Sequence, residues 1–363
     1  MKRNYSLSKY KRYAKRHGAK GLKRKLAFKK YLKRNNKKKF GIPKPRRTKK
    51  RFGDKFGDYF KVHAPEKLSF IDNPNEVVEF IALLKYHFDK RNKVFVVLKN
   101  VTEITYDTIV VLLSIMVKFK ASGIDFNGDF PDHRLANKVL NKSQFILYLY
   151  KEFKERDRYD LGQQSSIHTH AWKDVDAELG SKLIEQASKT VWGEVRRCQG
   201  IQRTLIELML NTNNHADDSK KREKHWWLSV HHNNSENKVS FAFIDFGIGV
   251  FTSLNNKRSG SRFFGILKKL KEKWQYGNNS DLLKLIMDGT LHKTATGKPH
   301  HGKGLPCINM ALQRNQISNL NIITNDVYAN IDNNVFKTLP KSFSGTFVYW
   351  ELNKNNVSCN DSN

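Results

Sequence analysis

Three cysteines in 363 residues, Cys198, Cys307 and Cys359, are odd in number and far apart, so no disulfide framework or thiolate metal site is expected. Long apolar runs are missing as well. The longest, TIVVLLSIMV from Thr108 to Val117, is about half of the ~20 residues that a spanning helix needs. The N-terminus has neither the apolar core nor the small-residue cleavage pattern of a secretory signal. No GxxxxGK[ST] phosphate loop occurs anywhere. His168 and His170 in SIHTHAW have no third ligand at a metal-site spacing, and the pairs His231–His232 and His300–His301 are no better. Together these absences point to a cytoplasmic protein with no membrane association.

Acidic residues are nearly absent from one region only. Residues 1–61 hold 26 Lys/Arg and 2 Asp/Glu, which is most of the formal net charge of +33. Tyr5, Tyr10, Tyr13, Phe28 and Tyr31 are interleaved among the cations, and GIPKPRRTKKRFGDKFGD adds helix breakers. Like charges repel and little apolar surface is available to bury, so 1–61 reads as a basic, largely disordered arm. Lys and Arg release counterions from phosphates and exposed rings stack on bases, which makes nucleic acid its expected partner.

From 62 to 150 strands and helices alternate. NEVVEFIALLKYHFDK and YDTIVVLLSIMVKFKA read as helices, KVFVVLKN and GIDFNG as strands, and PDHRLANKVLNKS as a helix begun by Pro. This order predicts a small α/β domain. Residues 151–179 read as a polar linker, and 354–363 as a C-terminal tail.

The segment 180–353 carries three polar motifs. In LIELMLNTNNHADD, Glu207, Asn211 and His215 recur every four residues, so a helix lines them along one side, while Leu205, Ile206, Leu208, Met209 and Leu210 fill most of the rest. A helix buried on most sides with one polar seam is expected. KHWWLSVHH and KVSFAFIDF read as strands joined by the turn NNSENK. The second runs into DFGIGV, which fixes Asp245 at a strand end beside Gly247 and Gly249. Later, TGKPHHGKGLPCINMALQRN places Gly297, Gly302 and Gly304 before a helix, whose N-terminal amides and dipole suit phosphate oxygens.

In this order, ExxxNxxxH, DxGxG and GxGL (Gly302, Gly304, Leu305), followed by LNIITNDVYANI and FSGTFVYWEL with its Gly345–Thr346 pair, resemble the GHKL ATPase superfamily. That superfamily includes gyrase B subunits, ninety-kilodalton heat-shock chaperones and histidine kinases. The resemblance implies a Bergerat-type two-layer α/β sandwich, a mixed sheet covered by helices, that binds ATP with Mg2+. It implies that Asp245 accepts a hydrogen bond from adenine's exocyclic amine and that Asn211 offers oxygen to Mg2+. Glu207 would orient or deprotonate the attacking water. Asn214, His215, Gly247, Gly249 and Thr346 would border the nucleotide, and Gly302, Lys303, Gly304 and Leu305 would close over the β- and γ-phosphates, with Lys303 or Lys298 reaching the γ-phosphate. Residues 250–301 would form an ATP lid, which nucleotide orders into a surface for a second copy or another protein.

Residues 62–150, with VFVVLKNVTEITYDTIVVLL, resemble a STAS domain. The phosphorylatable Ser of that family falls on or beside Asp107, with Thr108 next to it. Three functions are therefore expected to compete: an ATP-hydrolysing switch with a nucleic-acid arm, serving DNA or RNA transactions or defence; an anti-sigma-factor-type Ser/Thr kinase fused to a STAS-like domain; and a non-hydrolysing ATP-dependent binding module.

Overall fold

The computed structural model describes residues 56–143, 145, 166–171, 175–196, 198–215, 226–255, 278–289 and 304–357. All but the last residues of the basic arm lie outside this set. Residues 58–363 form one compact unit, which contains both regions read from sequence as α/β.

The N-terminal part begins with β1 (Phe60–His63) and β2 (Lys67–Leu68), then α1 (Pro74–Asp89), which Pro74 starts where no amide partner is needed. Next come β3 (Val94–Val97), β4 (Glu103–Ile104), α2 (Tyr106–Ala121), β5 (Phe126–Gly128) and α3 (Arg134–Lys142). Strands β1, β3 and β5 make a parallel sheet in the order β1-β3-β5, and β2 pairs with β4 in parallel. Parallel pairing requires crossover connections, and α1 and α2 supply them.

The expected linker is not merely a connection. Ser166–Ala171 forms β6, an edge strand antiparallel to β7 (Trp226–Asn233). Between these two strands lie α4 (Ala177–Trp192) and α5 (Gln199–His215). Asp176 caps α4 by accepting from the Leu179 amide at 2.9 Å, and Gly193 ends it at a φ of 84°. After β7 come β8 (Lys238–Asp245), α6 (Val250–Asn255), α7 (Asn279–Met287), α8 (Gly304–Gln313), β9 (Ser318–Asn330) and β10 (Val335–Leu352). The turn between β7 and β8 is the Asn-rich one that the sequence marks, with Asn237 left-handed.

The main sheet runs β6-β7-β8-β10-β9, and every neighbouring pair is antiparallel. The resemblance implied a mixed sheet; this one has no parallel pair among the described residues, because its strands follow one another through hairpins or are brought back by helices that reverse direction. Strand β9 folds on itself. The Ile331 amide donates to the Leu320 carbonyl at 2.9 Å, and Tyr328 and Asn330 both donate to Asn321 Oδ1. Eleven extended residues would span more than ~30 Å, so the strand must double back. It does so at Asn325, whose φ of 50° is left-handed.

Period-two alternation sends side chains of this sheet to two cores. Trp226, Leu228, Val230, Phe241, Phe243, Val348 and Trp350 face one side, with Leu183, Leu205, Met209, Leu283 and Ile308 from the helices α4, α5, α7 and α8. Trp227, Ala242, Ile244, Ile323, Phe347 and Tyr349 face the other, with Phe70, Val77, Ile109 and Leu113 from the N-terminal part. With the N-terminal part included there are three layers, namely helices, antiparallel sheet and the N-terminal α/β layer, with α1 on β10 and α2 on β7 and β8.

Two smaller expectations need correction. Cys198 is disulfide-bonded; cysteine spacing alone did not suggest a bridge. Leu210 is 38% exposed and Ile206 half-buried, so α5 has an ordinary single buried face. No helix among the described residues is long and apolar enough to cross a membrane.

Phe70, in the N-terminal layer, stacks on Phe347 of β10 at 4.7 Å between centroids, and both are fully buried. Phe70→Ala should therefore lower stability by about 3–5 kcal/mol. Urea unfolding followed by tryptophan fluorescence should still show one transition, because Trp226 and Trp350 sit in the opposite core of the same unit. A variant whose tryptophan transition does not move would show that the layer folds separately.

Candidate functional site

Asp245 ends β8 opposite Thr346 of β10 and Trp226 of β7. One carboxylate oxygen accepts from the Gly247 amide at 2.8 Å, across the turn the sequence predicted. Thr346 also donates to the carboxylate. Burial outweighs these donors and pushes the Asp245 carboxyl up to about 6. The group is thus a desolvated carboxylate at a sheet end, still an acceptor at neutral pH.

The Gly345–Thr346 pair has a steric cause. Gly345 has a φ of 123°, and a β-carbon there would lie 2.8 Å from the Asp245 carbonyl carbon and 3.0 Å from Phe246 Cα. Only glycine lets β10 pass this close to the end of β8.

Two residues that sequence reasoning missed hold the glycine turn. Thr324 Oγ1 accepts from the Val250 amide at 3.0 Å and donates to the Gly345 carbonyl at 3.2 Å. Asn325 Oδ1 accepts from the Phe251 amide, while its Nδ2 donates to the Ile248 carbonyl and to Thr252 Oγ1, each at 3.0 Å. Gly249, at a φ of 75°, lies so close that a β-carbon would be 2.6 Å from Asn325 Cγ. The Asn325 amide is therefore a second frame for DFGIGV, supplied by the bend in β9. An Asn within a strand-like run gives no sequence signal for such a role.

Helix α5 lies on the helix side of the sheet, the side that Asp245 shares by parity with Phe241 and Phe243. Glu207 and Asn211 are half-buried, and neither has a hydrogen-bond or ion-pair partner among the described residues. Asn214 and His215 are the last turn of the helix. Helix α8 packs along α5. A β-carbon on Gly200, near the start of α5, would lie 3.3 Å from Gln316 Cδ, just past the end of α8. The two helices are therefore antiparallel. Ten residues of α8 cover roughly 15 Å, which carries its first turn, Gly304 and Leu305, to the Asn211 end of α5. Gly302, Lys303 and Lys298 lie outside the described residues.

The expected lid is divided. Val250 and Phe251 of α6 pack against the helix-side core, and α7 contributes Leu283, Ile286 and Met287 to it. Asn278 caps α7, and Asn279 Nδ2 donates to Asp326 Oδ1 at 2.6 Å, beside the β9 bend. Residues 250–255 and 278–289 are thus built into the fold, and the rest of the segment lies outside the described residues. Among the described residues no group of three His, Cys, Asp or Glu could hold a metal ion.

Asp107 behaves differently from a phosphoacceptor. It is 3% exposed at the start of α2, accepts from the Phe70 amide at 3.0 Å, and is pushed up to about 6 by burial. Thr108 is also buried, with its hydroxyl donated to the Leu68 and Thr105 carbonyls at 2.6 and 2.9 Å.

Asp245 should cost the fold stability at neutral pH. Its folded value is raised, so the native state binds more protons than the unfolded chain between pH about 4 and 6, and stability falls as pH rises through that window. At ~1.4 kcal/mol per unit the cost above it is on the order of 3 kcal/mol. Asp245→Asn should therefore be more stable than the parent at pH 7.5, with the gain gone by pH 4; equal stability at both pH values would contradict the desolvation. Gly345→Ala should lose more than about 3 kcal/mol, or fail to fold, because backbone rather than a flexible side chain opposes it. A scan against protein-family models and a search of curated proteins give no match to this chain.

Proposed function

We propose that this protein is a Mg2+-dependent, ATP-hydrolysing switch of the GHKL type, with a basic arm that contacts nucleic acid. The observation that carries the reading is the desolvated Asp245 carboxylate, framed by the Gly247 amide and Thr346 at the end of a sheet. A carboxylate accepts from an amine and repels a carbonyl, so it favours the 6-amine of adenine over the 6-oxygen of guanine.

The flanking residues suit the remainder of the nucleotide. Asn211, without a competing partner among the described residues, is free to present its oxygen to Mg2+, which favours oxygen ligands. Glu207 lies one turn earlier on the same side, where it orients a water and takes its proton. The first turn of α8 points its amides to the same end of α5, the place for phosphate oxygens. Bound Mg2+ would neutralise phosphate charge, so positioning supplies most of the remaining catalysis.

The fused-kinase reading loses its internal substrate. Asp107 and Thr108 are buried at the junction of the N-terminal layer and the sheet, on the face opposite to that of Asp245. A hydroxyl already donated to two carbonyls inside a core is not available for phosphoryl transfer.

Phosphate release and nucleotide binding separate hydrolysis from binding alone. Glu207→Ala should lower turnover by about a hundredfold or more while leaving the affinity for a non-hydrolysable ATP analogue nearly unchanged. Normal turnover in this variant would remove Glu207 from the reaction. Removing residues 1–57, which stops short of β1, should abolish most salt-sensitive binding of a labelled oligonucleotide; unchanged affinity would show the arm to be a tail only.

A further inference from the structure

Asp245 and Phe246 are consecutive, so they leave the strand on opposite faces. Asp245 follows the parity of Phe241 and Phe243 in the helix-side core. Phe246 packs against the other core, that of the N-terminal layer. In DFGIG the two glycines leave the backbone free, and Phe246 is the largest side chain able to fix it.

The layer grips this end of the sheet from behind at several points. Lys118 of α2 holds its Nζ 6.0 Å from the Phe246 ring and 5.0 Å from the ring of Phe88 in α1. Lys85 of α1 donates to Ser344 Oγ, next to Gly345. Phe70 meets Phe343 edge-on at 5.9 Å, and Phe343 lies 6.1 Å from Phe246. Both strands that place Asp245 are therefore held: β8 through Phe246, and β10 through Phe343 and Ser344.

We propose that Phe246, Lys118 and Lys85 are positioning residues for the adenine-reading carboxylate, and that the same contacts let nucleotide occupancy stiffen the ends of α1 and α2. This rests on the nucleotide reading above. Coupling between two sites is reciprocal: if the layer favours the binding geometry of the Asp245 turn, nucleotide in that turn favours the docked layer. The N-terminal layer then acts as the output surface of the switch, on the face away from the ligand.

Hydrogen exchange in the full chain, with and without Mg2+ and a non-hydrolysable ATP analogue, tests this. Peptides from 80–92 and 112–122 should exchange about fivefold or more slowly with the analogue bound. In Phe246→Ala that protection should vanish and the analogue's Kd should rise about tenfold. Phe246→Leu keeps an apolar filler and covers the case where Ala fails to fold; its Kd should rise as well. Lys118→Met should weaken binding about threefold, with Lys118→Arg restoring it. Analogue binding with unchanged exchange in both helices would overturn the coupling and leave the nucleotide reading intact. A Phe246→Leu variant with altered Tm and unaltered Kd would likewise overturn it, as a purely structural role. No binding to the parent protein would overturn the reading beneath it and the proposal together.

Discussion

A sheet that is apolar on both faces has to be covered twice. In β7, β8 and β10 the residues of both parities are large and apolar, from Trp226 and Trp227 to Phe347, Val348, Tyr349 and Trp350. Leaving either face in water would expose several buried rings, each worth a few kcal/mol. The helices α4, α5, α7 and α8 cover one face and the N-terminal α/β layer the other. The layer is therefore part of the fold, and the buried ring pair Phe70–Phe347 shows how closely it is joined.

The candidate site follows from where the two cores meet. Asp245 stands at the end of a strand, where ladder pairing stops and the chain turns over two glycines. Its carboxylate is dry enough to be raised to about 6, and is kept in place by Gly247, Thr346 and the close pass of Gly345. Behind it the Thr324–Asn325 bend fixes the turn with four hydrogen bonds and ties Gly345 of β10 to it with a fifth. A destabilised carboxylate inside an otherwise over-determined frame is a common feature of binding sites.

Much of this was legible in the residues. The helices at 74–89 and 106–121, the Asn-rich hairpin at 234–237, and Asp245 at a strand end followed from periodicity and turn chemistry. Other features were hidden, for identifiable reasons. Ser166–Ala171 is polar enough to read as linker because an edge strand needs only one partner. The helix at 279–287 is short, and its burial depends on neighbours far along the chain, so it read as lid. The union of the two α/β regions left no local mark, because apolar residues of both parities say that a strand is buried without saying by what. Asn325 acts through a left-handed bend in a strand, which no spacing rule signals.

The account stands or falls on what Asp245 reads. Titration calorimetry of the full chain with ATP and with GTP, each with Mg2+ at pH 7.5, tests it most directly. The account predicts saturable heat from ATP and little or none from GTP, with the ATP signal lost in Asp245→Asn. Equal binding of the two purines, or no heat from either, would contradict it.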